Sequence, residues 1–561
     1  MPRTDASYFN WILRSNSDQF DDQMNILAAG GYDDYQRETF SSDDITFDTS
    51  TGKLSFSKGG AYEITFSQIV SNVESDTTTE WRIYTTDAGG DETMVYRAPL
   101  HRDNAYDPVC NTYRAILEVE AGGKMKFSTQ AGGNDIYMHA GSTMVVNRLT
   151  GRYARVHLSG NTRNFYNINP FTASFQQNQP EDKGLLINGL DYDLTHGRLI
   201  SSGSTNEWGS DRYGIYAVAF NGIFGTTSVG GITLTASQNG SEFYNTTGLN
   251  INTHDPGPIH NFHILRKMRK DDYISLYAQN YSVTDVIGAA LNGMQVGTTF
   301  ALYEIPNHAF FSATIQGRPT EDHDNSAVNN GDSLGIAGES EKNVWIPGDS
   351  DVWAGIRSGS ITVHADSPNI NYDPANGKFT VKRSGVYQVN AVTKIRNSSI
   401  VSGILTKRLY VNGVAHITGA EDHVHPNENA YNHAVGDIIT LLTLSGGDTI
   451  HVTHESTVAF KFGNGSCMTI FQVGSDWKYK DNDYSVDQRP SSDELIDGEF
   501  NINTYGTGSK NIQFKRDVFQ SPFVANTPGP LSLRGKVEVD KLSSTLNEAD
   551  AERYLFTKKQ N

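Results

Sequence analysis

Phe47-Asp48-Thr49-Ser50-Thr51-Gly52-Lys53-Leu54, Tyr192-Asp193-Leu194-Thr195-His196-Gly197-Arg198-Leu199 and Tyr372-Asp373-Pro374-Ala375-Asn376-Gly377-Lys378-Phe379 are one phrase written three times: aromatic-Asp-x-x-x-Gly-basic-apolar. Its chemistry is that of a turn feeding a strand, because Asp bonds the backbone ahead of it and Gly takes the left-handed conformation before pairing resumes. Thirteen residues after the first aromatic comes Gly60-Ala61-Tyr62-Glu63-Ile64. Its counterparts are Gly385-Val386-Tyr387-Gln388-Val389 and, after a nine-residue insertion, Gly214-Ile215-Tyr216-Ala217-Val218. These read as alternating strands, and Tyr62, Tyr216 and Tyr387 recur as a core position of the repeat.

The order persists downstream. A hairpin signal follows in each copy, as Gly89-Gly90, Asn239-Gly240 and Asn412-Gly413; Asn-Gly supplies both positive-φ residues of a type I′ turn. Polar turns then launch strands at Gly122-Gly123-Lys124, Lys270-Asp271-Asp272 and Gly446-Gly447-Asp448. Aliphatic strands close the units at Ser142–Val146, Thr298–Tyr303 and Met468–Val473. Phe171-Thr172-Ala173-Ser174-Phe175 and Phe311-Ser312-Ala313-Thr314-Ile315 read as the opening strands of copies two and three. Short strands with frequent turns make each unit a two-sheet sandwich.

This ordered set resembles the C1q/tumour-necrosis-factor-like jelly roll, most clearly over residues 310 to 474. The first copy lacks Asp after Gly122-Gly123, and the second departs in the spacing that leads to its Gly-x-Tyr strand. The resemblance implies a ten-stranded sandwich that packs as a trimer about a three-fold axis with aromatics near it. The fold expected is all-β, three tandem jelly rolls at 41–150, 151–306 and 307–474. A 1–40 N-terminal attachment segment precedes them, with an amphipathic helix around Phe20, Met24 and Leu27. A mixed 475–561 C-terminal extension follows, with weak strands near Phe500 and Val537 and a closing helix opened by Thr545 and Glu548.

Composition agrees with this division. At 561 residues the chain is about 3.7 times a ~150-residue domain. AVILMFWYC make up 37% and aromatics 11%, a globular composition rich in the residues that favour pleated surfaces. The formal charge of −19 repels phosphate backbones and anionic lipid, so nucleic acid is not an expected partner. Two cysteines, Cys110 and Cys467, make no disulfide framework. The start of the chain has no leader pattern, and the longest apolar stretch, Ile438–Leu444, falls far short of the ~20 residues that span a bilayer, so membrane insertion is not expected.

Chemistry-bearing motifs are sparse. Gly331-Asp332-Ser333-Leu334-Gly335 fits G-x-S-x-G but lacks the strand before and the helix after that a nucleophile elbow needs, so it reads as a surface loop. Histidines gather at His416, His423, His425 and His433 and at His451 and His454; His423 and His425 share one strand face and are the candidate metal ligands, though no Cys or carboxylate completes a set. Glu321-Asp322-His323-Asp324 lacks the spacing of a calcium loop. The sequons at Asn239, Asn245, Asn397 and Asn464 read as turn chemistry. No catalytic residue, cofactor or resident metal is expected.

Multi-sandwich trimers made without a leader resemble virion components. The function expected is a non-enzymatic homotrimeric virion structural protein of head-fibre, decoration or bacteriophage tail-fibre type. It would be made in the host cytoplasm, project from the virion surface and join other virion proteins through residues 1–40. The alternative is a host-receptor or glycan-binding adhesin, with aromatic loops stacking on sugars. A polysaccharide depolymerase is a third reading, for which no carboxylate pair stands out.

Overall fold

All three copies of the repeated phrase fold as their chemistry dictates. Asp48, Asp193 and Asp373 each accept a bond at Oδ1 from the backbone N–H two residues on, at 2.9 Å, and Gly52, Gly197 and Gly377 take φ of 66°, 64° and 61°. Asn239-Gly240 and Asn412-Gly413 form the expected turns, with φ of 53° and 81°, and 53° and 79°. These asparagines also tie the hairpin to the next turn: Asn239 donates to Asp272 Oδ1 at 2.7 Å and Asn412 to Asp448 Oδ1 at 2.8 Å. Copy one has no asparagine in its hairpin turn, which carries Gly89-Gly90, and has Gly123 where the others have Asp272 and Asp448, so both halves of that pair are missing together.

A computed structural model describes residues 6–15, 26–27, 37–71, 80–87, 89–99, 109–130, 137–158, 183–193, 195–201, 204–205, 211–212, 214–226, 230–251, 259–281, 291–294, 296–305, 309–316, 343, 345–346, 360–397, 403–424, 433–456, 460–462, 465–473, 499–501, 511–514 and 539–542. Among them there is no helix, and so none long and apolar enough to cross a membrane. The helices expected around Phe20–Leu27 and Thr545–Phe556, the Gly331–Gly335 loop and Glu321–Asp324 fall wholly or mostly outside these residues.

The first sandwich comprises β1 (Tyr8–Leu13), β2 (Arg37–Ser41), β3 (Ile45–Asp48), β4 (Lys53–Phe56), β5 (Gly60–Ser71), β6 (Glu80–Thr86), β7 (Glu92–Pro99), β8 (Val109–Val119), β9 (Lys124–Gln130), β10 (Tyr137–Met138) and β11 (Thr143–Arg148). Its inner sheet runs β8-β5-β11-β1-β2 and its outer sheet β3-β4-β9-β6-β7, all antiparallel. The second has β12 (Tyr153–Leu158), β13 (Lys183–Asn188), β14 (Asp191–Asp193), β15 (Arg198–Ile200), β18 (Gly214–Thr226), β19 (Gly230–Gln238), β20 (Ser241–Ile251), β21 (Ile259–Met268), β22 (Tyr273–Tyr281), β23 (Leu291–Met294) and β24 (Thr299–Glu304). The short hairpin β16 (Ser204–Thr205) and β17 (Asp211–Arg212) interrupts it. The third has β25 (Phe310–Gln316), β26 (Ser360–Asp366), β27 (Ile370–Asp373), β28 (Lys378–Val381), β29 (Gly385–Asn397), β30 (Gly403–Val411), β31 (Val414–Val424), β32 (His433–Leu444), β33 (Thr449–Ser456), β34 (Phe460–Phe462) and β35 (Ser466–Gln472). Inner sheets β21-β18-β24-β12-β13 and β32-β29-β35-β25-β26, and outer sheets β14-β15-β22-β19-β20 and β27-β28-β33-β30-β31, repeat the first sandwich strand for strand. The chain is all-β, with three tandem jelly rolls.

Three expectations are corrected. Residues 8–13 are not part of an attachment segment: they form β1, which pairs with β11 and β2, and bury Phe9, Trp11 and Leu13 in the first core. The second sandwich opens at β12 and not at Phe171–Phe175, which lies outside the described residues. Asn245 stands not in a turn but inside β20, where it pairs with Thr235.

Each sandwich closes on its own apolar cluster. In the first, Trp81 is wedged against Phe66, Tyr113 and Phe127 at centroid distances of 5.0, 5.2 and 5.9 Å. The recurring Tyr62, Tyr216 and Tyr387 point into these three cores and are fully buried. Tyr62 Oη donates to the Lys58 carbonyl at 2.6 Å and Tyr387 Oη to that of Arg383 at 2.8 Å, closing the same five-residue loop in two copies. Tyr62→Phe and Tyr387→Phe are each expected to lower unfolding free energy by about 1 kcal/mol, since a partly buried carbonyl loses its donor. Urea midpoints read this, and an unchanged midpoint would show the hydroxyls to be dispensable.

The chain groups into two compact units. One, Ala6–Gly203 with Tyr213–Gly474, holds the three sandwiches. The other comprises Met1–Asp5, Ser204–Arg212 and Ser475–Asn561; its described part is the β16–β17 hairpin and a three-stranded antiparallel sheet of β36 (Glu499–Asn501), β37 (Asn511–Phe514) and β38 (Val539–Leu542).

Candidate functional site

Strand β5 alternates as a half-exposed strand does, yet after Gly60 it is buried throughout. Tyr62, Ile64 and Phe66 face their own core, while Glu63, Thr65 and Ser67 are covered by the other two sandwiches. The register identifies equivalent positions, because Tyr62, Tyr216 and Tyr387 pair with Leu117, Arg266 and Leu442. One residue earlier on β8, β21 and β32 stand Ile116, Leu265 and Leu441, all buried in a cluster shared by the three sandwiches. Apolar aromatic packing there comes from Tyr303 and Phe471 of that same cluster, not from the recurring tyrosines.

The next layers are polar and different in each copy. Arg114, His263 and Ile439 occupy one set of equivalent buried positions; Thr112, Asn261 and Asp437 occupy another; Glu63, Ala217 and Gln388 a third. Glu63 gathers them: it accepts from Arg114 of its own sandwich, from Tyr303 Oη of the second at 2.8 Å, and from Gln388 Nε2 of the third at 3.5 Å. Tyr303 Oη lies 2.7 Å from His263 Nε2. Asn261 donates to Asp437, joining β21 to β32. Lys394 stands where the other copies have Ile69 and Ile223, and burial pushes its ammonium down to about 8.

The seams around this axis run in one direction. Tyr96 of the first sandwich donates to the Gly297 carbonyl of the second at 3.0 Å, and the equivalent Tyr244 of the second to Gly465 of the third at 3.4 Å. The equivalent residue of the third, Ile417, clusters with Ile12 and Ile69 of the first, and the ring closes. Closure depends on β1, because Asn10 Oδ1 accepts from Leu441 N at 3.0 Å and Thr440 Oγ1 at 3.3 Å, and Arg14 donates to the His416 carbonyl. A homotrimer would place three identical side chains at each axial level. Here one chain supplies three different ones, so the three-fold implied by the resemblance is completed within the chain.

The candidate metal ligands are His423 and His425. His423 lies on β31 and His425 outside the described residues. His454 is buried inside the third sandwich, 2.8 Å from Thr393 Oγ1, and His451 stacks on Tyr410 at 4.7 Å. Among the described residues no three His, Cys, Asp or Glu side chains are grouped to hold a metal. Cys110 and Cys467 form no disulfide.

No protein-family profile and no curated protein matches the chain. Among solved structures it is similar to Eiger TNF from S. frugiperda, at 14% identity over 26% of this chain and 92% of that one, with a TM-score of 0.19. Murine APRIL matches at 11% identity over 26% and 99%, with a TM-score of 0.19. The globular domain of zebrafish complement 1qA matches at 18% identity over 25% and 94%, with a TM-score of 0.18. The jelly-roll assignment rests on the strand order above.

Proposed function

We propose that the chain is a non-enzymatic structural or binding protein that carries a complete jelly-roll trimer on a single polypeptide. The observation behind this reading is Glu63, a buried carboxylate whose three donors come from three different sandwiches of one chain. Such a ring forms at any concentration, since linkage makes its association intramolecular. It also holds three non-equivalent faces in fixed order, which a homotrimer cannot do. The setting we propose is a virion surface, of head-fibre or decoration type. Attachment to other virion proteins then falls to the Ser475–Asn561 unit, because β1 is committed to the first sandwich.

Light scattering on the eluting full-length chain is the direct test. A mass of one chain, 61.7 kDa, is expected at micromolar concentration. A stable three-chain particle would return the protein to the homotrimer that its sequence resemblance implies. Soluble protein that competes with particle adsorption would move the reading to a receptor-binding adhesin.

A further inference from the structure

Histidines sit at the seams of the ring, each beside an arginine: His157 with Arg155 where the first and second sandwiches meet, His364 with Arg266 between the second and third, and His416 with Arg14 between the third and first. At the second of these seams the geometry dictates the charge state. Arg266 Nη1 lies 3.1 Å from His364 Nδ1, and since a guanidinium only donates, that nitrogen must carry a lone pair. His364 Nε2 is left as the N–H that meets Thr314 Oγ1 at 2.7 Å. Deeper in the same seam, Tyr303 Oη spends its proton on Glu63, so it accepts from His263 Nε2. His263 Nδ1 finds no protein partner among the described residues. The His263 ring stacks on Phe471 of the third sandwich at 5.6 Å and 16°, and its carbonyl accepts from Thr469 Oγ1 at 2.6 Å.

We propose that the seam between the second and third sandwiches is an acid-sensitive joint, which holds while His263 and His364 are neutral and loosens as they take up protons. A proton on His364 Nδ1 turns the Arg266 bond into two donors facing each other. A proton on His263 Nδ1 places an unpaired cation in a buried site already occupied by Arg114. The groups facing His364 are Arg266, Thr314 and Phe243, with the Lys267–Asp366 pair flanking at 3.7 Å; those facing His263 are Tyr303, Glu63, Arg114 and Phe471.

The sign follows from linkage. Burial, then Arg266, holds His364 down to about 3, and burial, then Arg114, holds His263 well below its ordinary value. In the opened joint both imidazoles return towards ~6.5, so the open form binds more protons below that pH. The joint is therefore at full strength above about pH 6.5 and weakens as pH falls. Two linked protons multiply the opening constant by roughly 100 for each pH unit.

Hydrogen exchange on the full-length chain between pH 7 and pH 5, corrected for intrinsic chemistry, reads this locally. Amides of β21 and β26 are expected to lose protection by up to ~100-fold per unit, while β22 in the outer sheet of the second sandwich keeps its own. In the H263Q/H364Q variant, whose amides reproduce both bonds, the slope should disappear. An unchanged slope in that variant overturns the proposal. Where the variant fails to fold, the wild-type chain decides: a flat profile at β21 and β26, or a loss at β22 equal to theirs, overturns it equally. The proposal rests on the intrachain ring, and the particle mass at pH 7 tests that separately.

Discussion

Arg114→Ala is expected to lower unfolding free energy by about 3–5 kcal/mol, far more than any surface charge removal. Both members of the Arg114–Glu63 pair are essentially unexposed, at 0% and 1% of the side chain. Removing the guanidinium leaves a carboxylate in the centre of the molecule with two neutral donors, and that uncompensated charge dominates the cost. The Lys53–Glu92 pair, about a third exposed on both sides, is the control: Lys53→Ala should cost no more than ~1 kcal/mol. A second arm separates the net worth of the pair from the cost of breaking it. Arg114 Nε and Nη2 have no protein partner among the described residues, so the pair is itself imperfectly satisfied. Replacing both charges, as Glu63→Gln with Arg114→Met, should recover most of the loss. Denaturant titration of the wild type, both single variants and the double variant gives all the terms. A loss below ~1 kcal/mol for Arg114→Ala would mean that the axis is wet and the ring looser than its packing indicates.

What was legible in the sequence was local. The Asp-x-x-x-Gly turn, the Asn-Gly hairpin and the recurring tyrosine depend on neighbours a few residues away, and each appears where the chemistry puts it. The axis was not legible, because Glu63, Thr65 and Ser67 occupy the polar half of an alternating strand and read as a solvent face. Only comparison between copies carries a hint: the residue after the recurring tyrosine is Glu, Ala and Gln, unlike the conserved-looking positions beside it. Strand β1 was missed for the opposite reason. Tyr8-Phe9-Asn10-Trp11-Ile12-Leu13 sends Phe9, Trp11 and Leu13 into the first core and Ile12 into the cluster of the third, so it is covered on both faces and shows no alternation. Such a run is indistinguishable by pattern from a short apolar lead-in. The seam glycines precede the closing strands in every copy and pass for ordinary turn residues until the neighbouring sandwich is in place.

Gly297 shows how much such a glycine carries, and Gly297→Ala is expected to cost about 3 kcal/mol or more. Its φ of +91° lies where an L side chain is strained, a penalty of about 1–3 kcal/mol. A β-carbon there would also stand 2.6 Å from Ala98 Cβ and 2.8 Å from the Arg97 carbonyl, both on the first sandwich. Those atoms belong to strand β7 and cannot swing aside as a flexible side chain would, so relief requires the seam to open, at a further ~1–3 kcal/mol. Opening also takes Tyr96 Oη from the Gly297 carbonyl and draws the Tyr96 ring from His157, now 5.2 Å away. The two effects can be told apart. Tyr96→Phe removes the bond without steric change and should cost about 1 kcal/mol. If the alanine acts by opening the seam, the bond is already lost and the double variant should cost scarcely more than Gly297→Ala alone. Strict additivity would confine the damage to local backbone strain in the turn before β24. A cost for Gly297→Ala within ~0.5 kcal/mol of zero would show that the first and second sandwiches do not meet at this seam.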